Sequence, residues 1–290
     1  MFKKIELQDR DIIMPYLKKS DYRTCEYNFS NNYGWQEMLD YRYCIYDGFC
    51  LIGSFTDGVS FLYPPGDGDI RGAVEEMRKV SIKAGVPLNI LSLTYENLQI
   101  MREYYGDSFD VVCEPLYSDY IYDSSELSDP KGNRGRKCRK FERDYAGRFE
   151  FKRIDGYEDY EKCIYLATCQ YNLREKNYTA VYEQLAIHKF FMNFEKLEME
   201  GVMMYFDGKL CAFSAGSAIN SDTFDCNMEK ANRSVTDMAY TLIFRELART
   251  ICSRYKYLNK EEDLGLPGLI KAKNDLHPVM KADKWDITFR

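Results

Sequence analysis

The sequence predicts a mixed α/β (α+β) fold made of two tandem units, residues 1–125 and 126–290, each a mostly antiparallel central sheet flanked by helices. Three observations predict it. Asp-Gly pairs set between apolar runs of period two mark tight hairpins at Asp47-Gly48 and Asp207-Gly208, 160 residues apart. Around each pair the same order of elements recurs: helix, hairpin, strand, loop, helix, strand, helix, strand. Finally, 290 residues with 45% hydrophobic and 30% charged content suffice for two domains of ordinary size and a substantial core.

Residues 9–40 read as helical, with amides and aromatics gathered in Cys25-Glu-Tyr-Asn-Phe-Ser-Asn-Asn-Tyr-Gly-Trp35. The period then falls to two, and runs at 43–46, 49–55 and 59–63, joined at Asp47-Gly48 and Asp57-Gly58, form a three-stranded meander. A helix is expected over 70–84 with Val74, Met77, Val80 and Ala84 on one face, closed by Gly85-Val-Pro87. A strand at 88–93, a helix at 96–104 and a strand at 109–113 complete the first half. In the second half, helices at 160–171 and 181–197 precede strands at 201–206, 210–218 and 223–229. A helix over 238–253 buries Tyr240, Ile243, Phe244, Leu247 and Ile251, and a strand at 255–258 and a helix after Pro267 follow. This order is that of the N-acetyltransferase (GNAT) fold, seen twice.

Composition narrows the function. Ten cysteines carry no C-x-x-C pair and no metal-ligand spacing, which points to a reduced, cytoplasmic protein with thiols as small core residues. With His188 and His277 as the only histidines, a His-based metal site or a Ser-His-Asp triad is not expected. A net charge of -6 argues against a DNA-binding footprint over the whole protein but leaves room for a local basic patch. No run reaches the 18 apolar residues of a membrane span, and the N-terminus has no apolar signal core.

Two stretches carry candidate chemistry. In Tyr257-Leu-Asn-Lys-Glu-Glu-Asp-Leu-Gly265 a short strand runs into Glu261, Glu262 and Asp263, and crowding of like charge raises a carboxyl toward the range of a base. The same triplet also suits solvated charges that complement the next helix. Between the halves, Lys131 to Arg143 holds seven Lys/Arg in thirteen residues. Wound as a helix, it shows Arg136, Arg139, Lys140 and Arg143 on one face and Cys138, Phe141 and Tyr145 on the other, either as a solvated face or as a phosphate site. Gly66-Asp-Gly68, ahead of the helix at 70, reads as an anion cradle or an ordinary turn, the turn being favoured.

Glu26-Tyr-Asn-Phe-Ser-Asn31 with Trp35, Arg136-Lys-Cys-Arg-Lys-Phe141, Glu229-Lys-Ala231, and Asn259 to Gly265 through Lys271-Ala-Lys273 resemble bacterial proteins related to the catalytic domain of phosphatidylglycerol lysyltransferases. The resemblance spans nearly the whole chain. It implies a tandem GNAT fold and transfer of a group from acyl-CoA or aminoacyl-tRNA to an amine or hydroxyl acceptor. On this reading Glu261, Glu262 and Asp263 hold or deprotonate the acceptor, with Glu229 as second candidate and Asn259 placing the carbonyl. Lys271 and Lys273 join Arg136, Arg139, Lys140 and Arg143 in neutralising donor phosphates. The loop Asn232-Arg-Ser-Val-Thr-Asp-Met-Ala239 lacks the glycines with which GNAT enzymes cradle pyrophosphate. A different class of function is a non-catalytic module that binds a coenzyme A-like molecule or tRNA, and a third is a scaffold with one degenerate half.

Overall fold

The computed structural model describes residues 2–173 and 178–290. The first half opens with β1 (Lys3–Lys4) and three helices, α1 (Arg10–Ser20), α2 (Phe29–Gly34) and α3 (Gln36–Leu39). The stretch expected to be one helical region is thus divided, for local reasons. Asp21 takes a left-handed φ of 55° and ends α1, and the Asn28 side chain accepts the N–H groups of Ser30 and Asn31 and starts α2. The meander follows as β2 (Tyr41–Tyr46), β3 (Phe49–Ser54) and β4 (Ser60–Leu62). Then come α4 (Ile70–Ala84), β5 (Asn89–Leu93), α5 (Tyr95–Tyr105) and β6 (Phe109–Val112). Asp69 caps α4 and Gly85 closes it; the buried face is Ile70, Ala73, Val74, Met77 and Ser81, whereas Ala84, in the last turn, is exposed.

β7 (Asp119–Asp123) ends the first half, and the second begins with α6 (Ser124–Ser128), α7 (Gly132–Asp144), β8 (Phe149–Arg153), α8 (Tyr157–Asn172) and α9 (Tyr178–Met192). These are followed by β9 (Glu200–Phe206), β10 (Lys209–Ala218), β11 (Thr223–Ala231), α10 (Ala239–Ile251), β12 (Tyr257–Asn259), α11 (Pro267–Asn274), β13 (Met280–Ala282) and β14 (Trp285–Phe289). Both Asp-Gly hairpins stand at equivalent places, β2–β3 and β9–β10. Their residues have φ of 42° and 80° at Asp47-Gly48 and 49° and 73° at Asp207-Gly208, the paired positive values that match strand twist. Gly66-Asp-Gly68 folds against the first of these turns: a Cβ on Gly68 would lie 1.6 Å from the Asp47 carbonyl oxygen, so the loop is a close backbone packing.

Two seven-stranded sheets result, ordered β1-β2-β3-β4-β5-β14-β6 and β13-β7-β12-β11-β10-β9-β8. Each is antiparallel except for one parallel pair, β4–β5 and β11–β12. Read from β1 and from β8, the two patterns match strand for strand, and the sixth place in each is filled by a strand from the other half of the chain. β7, which ends the first half of the sequence, pairs with β12 and β13, and β14 returns to pair with β5 and β6. Burial drives the exchange: Tyr120 and Tyr122 are fully buried in the second core, and Ile287 and Phe289 in the first. A third core joins the units, with Ile13, Leu17, Tyr27 and Phe29 packed among residues that include Phe190, Phe191 and Phe213.

Candidate functional site

The parallel strands β11 and β12 pair only at Thr223–Tyr257, Phe224–Leu258 and Asp225–Asn259. β11 then continues to Ala231 along β10, while the chain leaves β12 at Asn259. Beyond that point the two strands are no longer paired, and polar side chains from both halves fill this cleft between them. Asp225, fully buried, accepts the amides of Asn31 (2.9 Å), Asn227 (3.0 Å) and Asn28 (3.3 Å), and its Oδ1 has no partner. The same Asn31 amide donates to Glu261 at 2.9 Å, so one side chain bridges two carboxyls.

Charge crowding shapes these groups. Burial, then the charge of Glu262, pushes the Glu261 carboxyl up to about 8. Burial and the neighbouring Glu261 also push Asp225 well above the usual carboxylate range. Beside them lies a second cluster. Asp119, at the start of β7, accepts the Cys25 N–H at 2.7 Å and the Asn259 amide at 2.8 Å, and lies 2.8 Å from the Lys284 ammonium. Lys284 also meets Glu26 at 2.6 Å and Glu262 at 3.6 Å. Burial works to lower the Lys284 pKa, but the charges of Asp119, Cys25 and Glu26 together raise it well above the ordinary lysine value. Cys25, Asp119 and Glu262 come close enough to ligate a cation, with ligand atoms within 4.8 Å of one another, yet the Lys284 ammonium, 3.5 Å from the Cys25 Sγ, already supplies positive charge there.

The acidic loop is held from two sides. Asn259 accepts the Glu261 N–H at 2.6 Å, and its amide donates to Arg23 O and Asp119; it ties backbone together rather than facing the cleft. From α11, the buried Lys273 donates to the carbonyls of Lys260 (2.6 Å), Glu261 (3.0 Å) and Glu262. These bonds hold Glu261 at a left-handed φ of 58°. They also use the Lys273 ammonium inside the protein, so the structure does not present it to donor phosphates, and its exposure is only 6%. Asp263 faces away from the cleft, accepting Tyr120 Oη at 2.6 Å and the Gly265 N–H at 2.8 Å. Burial opposes these bonds, but they hold its carboxyl below the usual range. Glu229 is ion-paired with Lys260 at 2.7 Å and accepts Ser214 Oγ at 3.1 Å.

Of the expected cations, Arg136, Arg139, Lys140 and Arg143 are exposed on α7, which docks through Cys138 and Phe141; Lys140 and Arg143 both pair with Asp144. Arg134 of the same helix donates to the Leu276 carbonyl and so sets α7 beside the segment after α11. Lys271 is exposed and paired with Asp275 at 2.9 Å. Sequence reasoning missed Asp119, Asp225 and Lys284. Asp225 had a signal, an acid between Phe224 and Cys226 inside a strand; Asp119, which follows Ser118 at the start of β7, and Lys284 had none. A cavity of about 520 Å³ lies between α1, the start of α2 and the end of β10 with the loop after it; its wall includes Asn28 and Ser217 but no residue of the acidic loop.

The matching cleft of the first sheet is closed. β4 and β5 pair at Phe61–Ile90 and Leu62–Leu91, the Tyr63 N–H continues to the Leu91 carbonyl, and the Tyr27 hydroxyl is shared between the carbonyls of Tyr63 (3.0 Å) and Ser92 (3.2 Å). Tyr22 packs on Tyr27 with ring centroids 4.5 Å apart.

Comparison with known proteins places this architecture. The chain superposes on a conserved protein of unknown function from Bacteroides thetaiotaomicron with a TM-score of 0.94 and 29% identity, covering 100% of this chain and 99% of that one. L-PGS from Bacillus licheniformis matches with a TM-score of 0.66 and 12% identity over 97% of this chain and 92% of that one. A tandem GNAT protein from the clavulanic acid biosynthesis pathway matches at 0.51 and 12% identity over 99% and 98%. Among curated proteins none matches. No described helix is long and apolar enough to cross a membrane. The sequence profile of the phosphatidylglycerol lysyltransferase C-terminal domain matches residues 18–288, and the chain belongs to that family.

Proposed function

We propose that the chain is an acyl- or aminoacyltransferase in which an acceptor amine or hydroxyl attacks an activated carbonyl in the β11–β12 cleft. The observation that carries this reading is the Asp225–Glu261 pair at the cleft mouth, bridged by Asn31 and crowded so that Glu261 titrates at about 8. A carboxyl with that value takes a proton from an acceptor near neutral pH and releases it again, which an ordinary glutamate does poorly. The new bond forms from the acceptor nitrogen or oxygen to the carbonyl carbon. The bond to the ribose oxygen or to the thiol sulfur breaks, and the acceptor proton reaches the leaving group through Glu261. Glu262 contributes negative charge beside it for a cationic acceptor. Asn259 and Lys273 shape the loop, and Asp263 fixes its turn.

For the donor, an aminoacyl ester at a tRNA end is favoured over acyl-CoA. The exposed cations of α7 suit a phosphate backbone. The loop ahead of α10 lacks glycine and turns in on itself, with Asn232 Oδ1 accepting both the N–H and the hydroxyl of Ser234, which leaves it poorly arranged for a pyrophosphate. The test offers total aminoacyl-tRNA carrying labelled amino acids, and acetyl-CoA in a parallel reaction, each with a panel of primary amines. Labelled amide from the first supports aminoacyl transfer, and free thiol with acetamide from the second moves the donor to acyl-CoA. No product from either, with tRNA and coenzyme A both failing to bind, overturns the reading.

A further inference from the structure

Lys284 belongs to the short connection between β13 and β14, and Asp119 begins β7. The two strands that exchange between sheets therefore each bring one partner of a buried ion pair to the site, where Asp119 is wholly buried and the Lys284 side chain is 4% exposed. The ammonium touches carboxylates on three elements: Glu26 in the turn before α2, Asp119 on β7 and Glu262 on the acidic loop. Its other titratable neighbours are Cys25, 3.5 Å away, and, through charge alone, Tyr41 of β2, Asp225 of β11 and Asp286 of β14. Two more cations lie close to this loop: Lys273 is spent on backbone carbonyls and Lys260 on Glu229. Three carboxylates drawn into one buried place repel one another unless a cation sits among them, and here that cation arrives only once β14 has entered the first sheet.

We propose that Lys284 is a positioning residue: seated by the exchange of β7 and β14, its ammonium gathers Glu26, Asp119 and Glu262 and thereby fixes the acidic loop over the cleft. The carboxyls divide into two sets. Those around Lys284 touch its ammonium and hold the loop, whereas Asp225 and Glu261 lie beyond its contacts and exchange a proton. The proposal rests on the transfer reading only for the loop's purpose, and its test uses no turnover, so either can fail without the other.

The experiment compares Lys284→Met, Lys284→Arg, Asp119→Asn and the Lys284→Met/Asp119→Asn double variant in the full chain. Carbon-13 carboxyl NMR follows Glu26 through a pH titration, and urea unfolding follows stability. Loss of the ammonium raises the Glu26 midpoint by about one pH unit or more, and Lys284→Arg, which keeps the charge, restores it. Each single neutral variant unfolds at lower urea than the wild type, and the double variant recovers much of the loss because no charge is left unpaired. An unchanged Glu26 midpoint in Lys284→Met overturns the proposal, as does a double variant that loses the sum of the two single effects. Should Lys284→Met fail to fold, the double variant decides: recovery of folding supports the proposal and continued failure overturns it.

Discussion

The two parallel strand pairs occupy equivalent places in the two sheets and have opposite contents. Between β4 and β5 the strands are bridged by a phenol, with the Tyr27 hydroxyl shared between two carbonyls and Tyr22 packed on its ring. Between β11 and β12 the same position holds Asp225, three asparagine amides and Glu261. Both contents come partly from one segment: Tyr27 fills the first cleft, and Asn28 and Asn31, just beyond it, line the second. Duplication supplied two clefts, and the segment 25–31 closes one while furnishing the other. A buried polar cluster with a carboxyl oxygen left unpaired is unfavourable for folding, which is why such clusters suggest chemistry, whereas a satisfied tyrosine suggests packing.

The largest expected difference is in catalysis. Glu261→Gln keeps the volume and the Asn31 contact and removes the base, so transfer falls by about 10²- to 10⁴-fold, while Tyr27→Phe leaves the rate nearly unchanged; single-turnover rates with whichever donor yields product check both. Stability separates the clefts in the opposite sense. Tyr27→Ala empties an aromatic site in the shared core and loses about 3–5 kcal/mol, and Tyr27→Phe, which only deprives two carbonyls of a donor, loses about 0.5–1.5 kcal/mol, both read by urea unfolding.

A smaller effect appears in the pH dependence of folding. Glu261 and Asp225 are raised in the folded state, so the native protein binds more protons than the unfolded chain between the ordinary carboxyl range and about 8. Stability contributed by these two groups therefore declines as pH rises through that window. Asp225→Asn and Glu261→Gln flatten the decline, and both variants gain on the wild type toward pH 8. The smallest effect lies farthest from the clefts. Arg136→Ala with Lys140→Ala leaves unfolding unchanged, because both side chains are exposed, and lowers the salt slope of tRNA binding by about one for each phosphate that is no longer neutralised.

Much of the fold is legible in the sequence because it is local. Asp-Gly turns, period-two runs and the apolar stripe of α10 each announce themselves within a few residues. β7 and β14 do not, since their pairing joins residues far apart in the chain; the alternation of Trp285, Ile287 and Phe289 marks a strand but says nothing of which sheet receives it. The acidic triplet is equally local, and so is found, yet its three members differ in role according to partners that come from elsewhere: Asn31 for Glu261, Lys284 for Glu262, Tyr120 for Asp263. Lys273 shows the same limit, for a lysine that points inward at three carbonyls has the same sequence signature as one that points at a phosphate.

Whether the second cleft, and not the first, receives substrate is tested most directly by hydrogen–deuterium exchange of the full chain with and without saturating uncharged tRNA, and in parallel with coenzyme A. One of these ligands is expected to slow exchange in β11 beyond Asp225 and in the loop from Lys260 to Asp263, with the strands around Tyr63 and Ser92 unaltered. Slowed exchange at Tyr63 and Ser92, with the acidic loop unchanged, would contradict it.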